Sequence, residues 1–470
     1  MSEKITKRAK GIAYLLMLVY FGSYIMRINV AAMLVTIYTD MAIMKTDIAP
    51  VITGMTICYG AGQIINGILG DKIKPKYMLT VGLCLAALCN VAMFFCGFVP
   101  AMRNVPCMTA IWCVNGYAHA MLWPPIVRLL SANLTDAEYS YAAVRVSWGS
   151  SFGTILIYSL CPLLLNVMSW NTIILCYGVM GLAIVAIWVL LYPRLFTKPQ
   201  VAGEESKAAA KATAKKPKAT QMPGGVLLPV AVISVILIFV GIVLQGMLRD
   251  GVTNWMPSFL LESFGLSEEQ SIFATVILAV FSIISFSAFD VLHRKVFRNE
   301  VTCSAVIFGG SVVFGLALYF CNLWIPADHF ASVIVSMLLM AAIVACMHGI
   351  NLMLITVVPK RFVKSGMVST FSGLLNAGTY VGAAIATPLF AVFADNKALG
   401  WSFTLLSWAI ISALGGIVCL IVIPLWRKFR REYADTPIVE EAVADAADAS
   451  ENIKAIASEG EEADSVKIEV

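Results

Sequence analysis

The stretch TKPQVAGEESKAAAKATAKKPKATQMPG, residues 197–224, divides this 470-residue chain into two apolar parts of similar length. It is rich in Lys, Ala and Pro, and it has too few apolar side chains to bury a core. We therefore predict a solvated linker here. On both sides of it, apolar runs of roughly the 20 residues needed to cross a bilayer follow one another.

The bulk composition places most of the chain in lipid. Hydrophobic residues make up 60% of it and charged residues 13%, and the mean hydropathy is +0.85. A soluble protein carries about 25% charged residues. The 12 cysteines lie mostly inside apolar runs and form no CxxC pair, so they indicate neither a disulfide framework nor a metal site. We expect no cofactor and no nucleic-acid partner.

The apolar runs predict an all-α membrane protein with twelve transmembrane helices in two pseudo-symmetric six-helix halves. The first half is residues 1–196 and the second is 225–431, and the acidic residues 432–470 are predicted to be a disordered tail. The predicted spans are 11–38, 49–71, 77–99, 105–132, 141–168 and 171–192, then 225–262, 268–292, 301–323, 330–358, 365–394 and 401–426.

The distribution of Lys and Arg predicts the orientation. These residues concentrate before the first span, in the even-numbered connections, in the linker and after the last span. The odd-numbered connections contain few of them. Because basic loops stay in the cytoplasm, we predict that both termini and the linker are cytoplasmic in a multi-pass protein of the cell (inner) membrane.

Two arginines lie deep inside predicted spans, Arg27 in the first and Arg249 in the seventh. A charge at the bilayer centre costs about 2.5–3.5 kcal/mol on insertion scales, so such residues usually face a cavity. Arginine stays charged, and its planar fork matches phosphate or carboxylate oxygens. Their corresponding positions in the two halves predict a transporter for a doubly charged anion.

Architectural ion pairing is the alternative role for these arginines. No acidic residue lies between positions 11 and 38 to neutralise Arg27. Asp250 directly follows Arg249, but neighbouring side chains on a helix point about 100° apart. We therefore predict that Asp250 does not simply neutralise Arg249 and instead reaches another helix, as a gating or coupling residue.

Tyrosines accompany the first arginine. Tyr20, Tyr24 and Arg27 share one helical face because they are spaced by four and three residues. With Tyr59 of the second span, they are predicted to line the cavity, and the alternative for each tyrosine is packing at the membrane interface. Gln63, one turn after Tyr59, is a candidate hydrogen-bond donor to the substrate.

Histidines and an Asp-Lys pair in one loop supply the candidates for coupling and gating. His119 and His348 are the histidines within predicted spans, and their roles are either proton coupling and substrate contact or packing. Asp71 and Lys72 lie in the second connection. They are predicted to brace the closed cytoplasmic side through a charge-assisted contact.

The second connection also carries a family resemblance. GILGDKIKPK (67–76) resembles the loop signature of the major facilitator superfamily, G-x-x-x-D-[RK]-x-x-[RK]-[RK], and a degenerate FDVLHRK (289–295) holds the corresponding place in the second half. Together with twelve spans and a basic linker, this resemblance implies the major facilitator fold.

Longer stretches resemble one branch of that superfamily, the organophosphate:phosphate antiporters. YFGSYIMRINVAAM (20–33) is similar to their first helix and NGYAHAMLWPPIVRLL (115–130) to their fourth. QGMLRDGVTNWMPSFLLE (245–262) is similar to their seventh-helix R-x-G-I-x-x-W-x-P-x-Y-L, and VPKRFVKSGMVSTFSGLLNAGTYVG (358–382) to their tenth connection. The resemblance implies exchange of an organic phosphate for inorganic phosphate, with both arginines clamping the phosphoryl group.

The chain departs from that branch where its members select the substrate. Gln63 stands where glycerol-phosphate carriers have a lysine, and Gly149 where they have a histidine. Asn376 and Tyr380 lie in an uncharged stretch where hexose-phosphate carriers have an Asp and a Lys. These polar residues are predicted to contact the organic part of the substrate, whose identity stays open.

We therefore predict a monomeric secondary transporter, not an enzyme, that binds a small anionic, phosphorylated substrate and inorganic phosphate in the lipid bilayer and works by alternating access. No Walker lysine loop or Ser-His-Asp arrangement indicates enzyme chemistry. Two alternatives stay open. One is a proton-coupled transporter of a carboxylate or other organic anion in the same fold, and the other is a transporter-like sugar-phosphate sensor.

Overall fold

A computed structural model describes residues 5–196, 227–325, 330–395 and 400–435. Within these ranges the regular structure is helical throughout. The predicted linker and almost all of the predicted acidic tail lie outside the described residues. The described chain ends in the short π-helical segment Arg430–Ala434, which continues the last span into the first residues of that tail.

The helices follow the predicted spans, which we number 1 to 12. In the first half they are Lys7–Ala32 with Leu34–Asp40 (span 1), Lys45–Lys72 (2), Pro75–Phe95 (3), Val105–Ala120 with Trp123–Asn133 (4), Asp136–Leu165 (5) and Trp170–Phe196 (6). In the second half they are Leu227–Phe264 (7), Glu268–Ala274 with Val276–Leu292 and the π-helical His293–Phe297 (8), Glu300–Trp324 (9), Phe330–Asn351 with the π-helical Leu352–Val357 and Val358–Lys360 (10), Val368–Asp395 (11) and Gly400–Phe429 (12).

Among the described residues, 11 helices are long and apolar enough to cross a membrane. Large apolar side chains such as Leu190, Val313 and Leu420 are 69%, 64% and 60% exposed. In a bilayer these exposed side chains contact lipid, while each helix satisfies its own backbone hydrogen bonds.

Span 4 is divided into two shorter helices of 16 and 11 residues. Val105–Ala120 ends and Trp123–Asn133 begins after a two-residue turn. Pro124 and Pro125 lie in the first turn of the second piece, where a missing backbone N–H is tolerated. Neither proline can continue a helix from the preceding turn. The Trp-Pro-Pro sequence therefore breaks the helix within span 4.

The two halves repeat the same packing. Spans 1 and 5, 2 and 4, and 3 and 6 pack against each other in the first half. In the second half, spans 7 and 11, 8 and 10, and 9 and 12 do so. The halves meet through spans 2 and 11 and through spans 5 and 8, two contacts related by the same shift of six spans. The predicted fold class, two pseudo-symmetric helical halves, is confirmed.

Glycine permits the closest approach between the halves. A Cβ atom at Gly373 of span 11 would lie 2.2 Å from the carbonyl oxygen of Gln63 in span 2. Only a residue without a side chain fits there, and such small residues let membrane helices pack backbone to backbone. Spans 2 and 11 are thereby held together beside the centre of the molecule.

Candidate substrate-binding site

A cavity of about 40 Å³ lies between the halves and holds only a few water molecules. Side chains from both halves surround it. Among the described residues, its lining consists of Tyr20, Tyr24, Tyr59, Trp123, Ser147, Ser150, Arg249, Phe286, His348, Asn351, Asn376 and Tyr380.

Arg27 projects from span 1 into a group of aromatic rings beside this cavity. Its guanidinium carbon is 4.2 Å from the ring centroid of Tyr24 and 4.8 Å from that of Tyr59. Both distances lie within the range of cation–π attraction. None of the ion pairs in the described part of the chain involves Arg27. Its charge is therefore surrounded by rings rather than neutralised by a carboxylate.

The rings form an aromatic wall of two groups, which Arg27 joins through its contacts with Tyr24 and Tyr59. The centroid of Tyr20 is 5.2 Å from that of Tyr24 and 5.0 Å from that of Trp123. The rings of Tyr59 and Tyr380 meet edge to face at 4.6 Å, and this contact joins span 2 to span 11. The wall thus runs from the first half of the molecule into the second.

Arg249 has a different environment, and here a sequence prediction is wrong. Its Nε donates a hydrogen bond of 2.6 Å to Oδ1 of Asp250, and its Nη2 donates one of 2.9 Å to Oδ2. The prediction considered only the directions in which neighbouring side chains leave a helix. The arginine side chain is long enough to turn back to the adjacent carboxylate, and the bidentate match favours that conformation. Asp250 therefore neutralises Arg249 in this conformation.

Arg249 also approaches the aromatic wall. Its guanidinium carbon lies 5.9 Å from the ring centroid of Tyr380. Arg27 is near Tyr59, whose ring touches that of Tyr380. The two arginines, one from each half, therefore approach the same pair of contacting tyrosines.

Several other predicted residues line the same cavity. His348, Asn376 and Tyr380 do so from spans 10 and 11. Asn351, which the sequence analysis missed, follows His348 by three residues and so shares its helical face.

Two serines of span 5 were missed as well. Ser147 and Ser150, also three residues apart, line the cavity from the first half. The three-residue spacing of polar groups within an apolar span is the sequence signal that would have found both pairs.

Gln63 and His119 lie elsewhere. They are absent from the cavity lining in the described structure, and both side chains are buried. Their side-chain nitrogen and oxygen atoms have no hydrogen-bond partner among the described residues. The backbone of Gln63 packs against Gly373 instead. A contact of Gln63 or His119 with the substrate stays a prediction.

Three buried asparagines hold the helix that carries Arg27. The Met26 carbonyl oxygen accepts hydrogen bonds from the Nδ2 atoms of Asn90 at 2.9 Å and Asn115 at 3.1 Å. Asn29 donates to Oδ1 of Asn90 at 2.6 Å. Spans 1, 3 and 4 are thereby joined next to Arg27, which fixes the direction in which its side chain leaves the helix.

The halves are also joined at one end of the bundle. We call this the basic end. It contains the 2–3, 4–5, 8–9 and 10–11 connections and the first and last described residues, 5 and 435. There the carboxylate of Asp71 accepts hydrogen bonds of 2.8 Å from the backbone N–H groups of Ser369 and Thr370. These N–H groups belong to the first turn of span 11, where the helix dipole favours an anion.

Further contacts strengthen the basic end. Tyr139 donates a 2.6 Å hydrogen bond to the carbonyl oxygen of Thr356, and Lys360 pairs with Asp136, so each contact crosses from one half to the other. Lys72, which was predicted to act with Asp71, is exposed. The basic end is therefore closed in this conformation, and a gating role for Asp71 and Lys72 stays a prediction.

These features define a class of protein before any comparison is made. A multi-span helical protein with two repeats and a polar cavity at their interface has the architecture of a secondary transporter. Residues 16–367 match the model of the Major Facilitator Superfamily, and the chain belongs to this family. It is a membrane transporter and not an enzyme.

Its relatives are carriers of small anions. The chain is 22% identical to the "Glycerol-3-phosphate transporter" of Bacillus subtilis over 84% of its own length and 88% of that protein. It is 26% identical to the "Phosphoglycerate transporter protein" of Salmonella typhimurium over 86% of its length and 85% of that protein. The solved structure of a proton:xylose symporter of the same superfamily matches with a TM-score of 0.66 at 12% identity, over 88% of this chain and 95% of that one.

Proposed function

We propose that this chain exchanges an organic phosphate for inorganic phosphate by alternating access, with Arg27 and Arg249 binding the phosphoryl group. One observation carries the proposal. Two guanidinium groups from opposite halves approach one pair of contacting tyrosines beside a central polar cavity. Guanidinium groups bind phosphoryl oxygens through charge-assisted hydrogen bonds. The names of the relatives support a phosphate ester as the substrate.

The remaining polar lining would recognise the organic part. Ser147, Ser150, Asn351 and Asn376 offer neutral donors and acceptors from both halves of the cavity. A ligand bound there would touch both halves at once. Its binding therefore stabilises their closure around it, as alternating access requires.

The surroundings of Arg27 favour exchange over one-way movement. Closing an empty cavity removes water from a guanidinium group that no carboxylate compensates, which costs several kcal/mol in principle. A bound anion removes that cost. The loaded carrier should therefore reorient more easily than the empty one, and each substrate that leaves must be replaced by another.

Orientation is part of the proposal. The basic end is assigned to the cytoplasm because Lys and Arg concentrate in its connections. The described conformation is then closed on its cytoplasmic side. We further propose that the protein resides in the cell (inner) membrane and acts as a monomer, because one chain supplies both arginines.

Counterflow in proteoliposomes tests the function. Vesicles loaded with inorganic phosphate should take up labelled phosphate, and glycerol phosphate, hexose phosphate and phosphoglycerate should each be assayed as competitors. Arg27→Lys and Arg249→Lys should each abolish exchange without loss of folded protein, because a point charge cannot replace the planar fork. Arg103→Lys is the matched control, since Arg103 pairs with Asp40 at the opposite end of the bundle.

Near-normal exchange by either cavity variant would contradict the clamp. Uptake of carboxylates driven by a proton gradient, without phosphate counterflow, would favour the proton-coupled alternative. Tight binding of a sugar phosphate without any counterflow would favour the sensor.

A further inference from the structure

The ion pair between Arg249 and Asp250 changes the charge that the cavity offers to a substrate. Arg27 and Arg249 contribute two positive charges, and the Asp250 carboxylate contributes one negative charge. With neutral histidine, the site therefore carries one net positive charge. Two unpaired arginines would match a doubly charged anion, whereas this site matches a singly charged one.

The geometry leaves part of Arg249 available for a substrate. A guanidinium group has five N–H donors. Asp250 occupies Nε and one position on Nη2, so the edge formed by Nη1 and the second Nη2 hydrogen stays open. Because both carboxylate oxygens are bound, Asp250 also fixes the orientation of the fork. Arg249 can thus bind an anion without releasing Asp250.

The other charged and titratable groups around this pair come from the spans packed against span 7. Span 11 contributes Tyr380 and span 10 contributes His348, and Tyr24 faces the same cavity from span 1 beside Arg27. Span 12 has no acidic, basic or histidine residue between Gly400 and Trp426. The segment Leu352–Val357 has none either, and Glu268–Ala274 follows the far end of span 7. Asp250 is therefore the one acidic residue at the level of Arg249 in the described structure.

We propose that Asp250 determines the charge of the transported substrate, so that the cavity selects the singly charged form of phosphate and its esters over the doubly charged form. This inference rests on the proposed function, because it refines the ligand of the same two arginines. A phosphate ester loses its second proton near pH 6, and the singly charged fraction then falls about tenfold per pH unit. Apparent affinity for phosphate should fall accordingly as the pH rises.

Binding of simple anions to the purified full-length protein tests this charge selection. The probes are inorganic phosphate, sulfate, which is doubly charged throughout, and methyl sulfate, which is singly charged throughout. Dissociation constants from calorimetry at about pH 5.5 and about pH 8.5 span the titration of phosphate. Any pH dependence of the two sulfate probes belongs to the protein, and His348→Gln removes the cavity histidine as its source.

The wild-type protein should bind methyl sulfate more tightly than sulfate, and phosphate more than about tenfold more tightly at about pH 5.5 than at about pH 8.5. Asp250→Asn should reverse the preference between the two sulfate probes, because the cavity then carries two positive charges. Asp250→Glu, which keeps the charge, should preserve the wild-type order. If Asp250→Asn does not fold, the wild-type order tests the charge selection, and Asp250→Ala tests whether this side chain causes it.

Two results would overturn the proposal in distinguishable ways. Tighter binding of sulfate than of methyl sulfate by the wild type, with phosphate favoured at the higher pH, would refute charge selection and leave the phosphate site intact. The proposed function itself would be refuted if none of these anions bound, or if Arg27→Ala left their binding unchanged.

Discussion

Arg27 and Arg249 hold corresponding places in the two halves, yet their neighbours differ. Arg27 lies between the rings of Tyr24 and Tyr59 and has no acidic partner in the described structure. Arg249 is bound along one edge of its guanidinium group by both carboxylate oxygens of Asp250. The repeat of the fold therefore places an arginine at the same position in each half, but it does not repeat the carboxylate that neutralises it. A pseudo-symmetric binding site can thus be electrostatically asymmetric.

The difference assigns separate tasks to the two halves. An unpaired guanidinium group in a ring of aromatic side chains attracts the anion most strongly, because nothing nearby cancels its field. A paired one binds with fixed geometry and less net charge. Four predictions test this comparison, beginning with the one that should have the largest effect.

Removal of Arg249 should be the most damaging change. Arg249→Ala leaves Asp250 unpaired, and breaking a buried pair costs about 3–5 kcal/mol. The exposed fractions of the two side chains, 16% and 25%, place this one toward the lower figure. We expect counterflow to fall by more than about 100-fold, because the remaining carboxylate also repels the substrate.

Adding Asp250→Ala to Arg249→Ala should raise the counterflow rate about tenfold above that of the single variant. Adding Asp250→Ala to Arg27→Ala should raise the counterflow rate by a smaller factor, because Asp250 is still paired with Arg249 in that variant. Equal recovery in both backgrounds would show that only total charge matters, and the local asymmetry would be refuted.

The closed basic end should depend on one side chain. Asp71→Asn removes two hydrogen bonds to a charged group, each with a net value of about 1.5–3 kcal/mol. The Asn oxygen can replace one of them by a weaker bond, but its Nδ2 is a donor and cannot accept from the second backbone N–H. Hydrogen–deuterium exchange of the backbone amides at the start of span 11 should then accelerate by about tenfold or more. Unchanged protection of Ser369 and Thr370 would rule out Asp71 as the element that holds this end closed.

The aromatic wall should matter through its rings rather than its hydroxyl groups. Tyr24→Leu removes a ring 4.2 Å from the Arg27 guanidinium carbon, and loss of a cation–π contact of about 0.5–2 kcal/mol should weaken phosphate binding about 3–30-fold. Tyr24→Phe keeps the ring and should stay within about twofold of wild type. Equal losses in the two variants, measured as dissociation constants, would assign the role to the hydroxyl group.

The smallest effect should follow from Lys72→Ala. This side chain is exposed beside Asp71, and substitutions of that kind usually change stability by less than about 0.5 kcal/mol. Amide protection at Ser369 should be the same as in wild type. A loss comparable to that in Asp71→Asn would restore the idea that the two residues act together as a gate.

Local spacing was sufficient to predict much of this arrangement. The order of the spans follows from apolar length, and the shared face of Tyr20, Tyr24 and Arg27 follows from helical periodicity. Both depend on neighbours along one helix. The break in span 4, which we predicted as the single run 105–132, also has a local cause, since Pro124 and Pro125 cannot continue the preceding helix.

Features that depend on distant parts of the chain were not predictable in this way. The carbonyl oxygen of Met26 is bound by Asn90 and Asn115, and only the packing of spans 1, 3 and 4 brings these groups together. The positions of Gln63 and His119 outside the cavity lining are likewise set by the packing of neighbouring helices. The contact between Arg249 and Asp250 escaped prediction because it depends on side-chain reach rather than on helix geometry.

The hydrogen bonds at the closed end have a further consequence for how this protein tolerates substitution. Asp71 binds backbone N–H groups, and every residue except proline supplies one. The hydrogen-bond acceptor is therefore one particular side chain, that of Asp71. The donors are backbone N–H groups, which are nearly independent of the residues at positions 369 and 370. No charge exchange at position 370 could rescue the loss of Asp71, and every replacement of Thr370 except proline keeps the N–H donor. Substitution of Asp71 therefore breaks this contact, whereas substitution of the donor residues by anything but proline leaves their N–H groups in place.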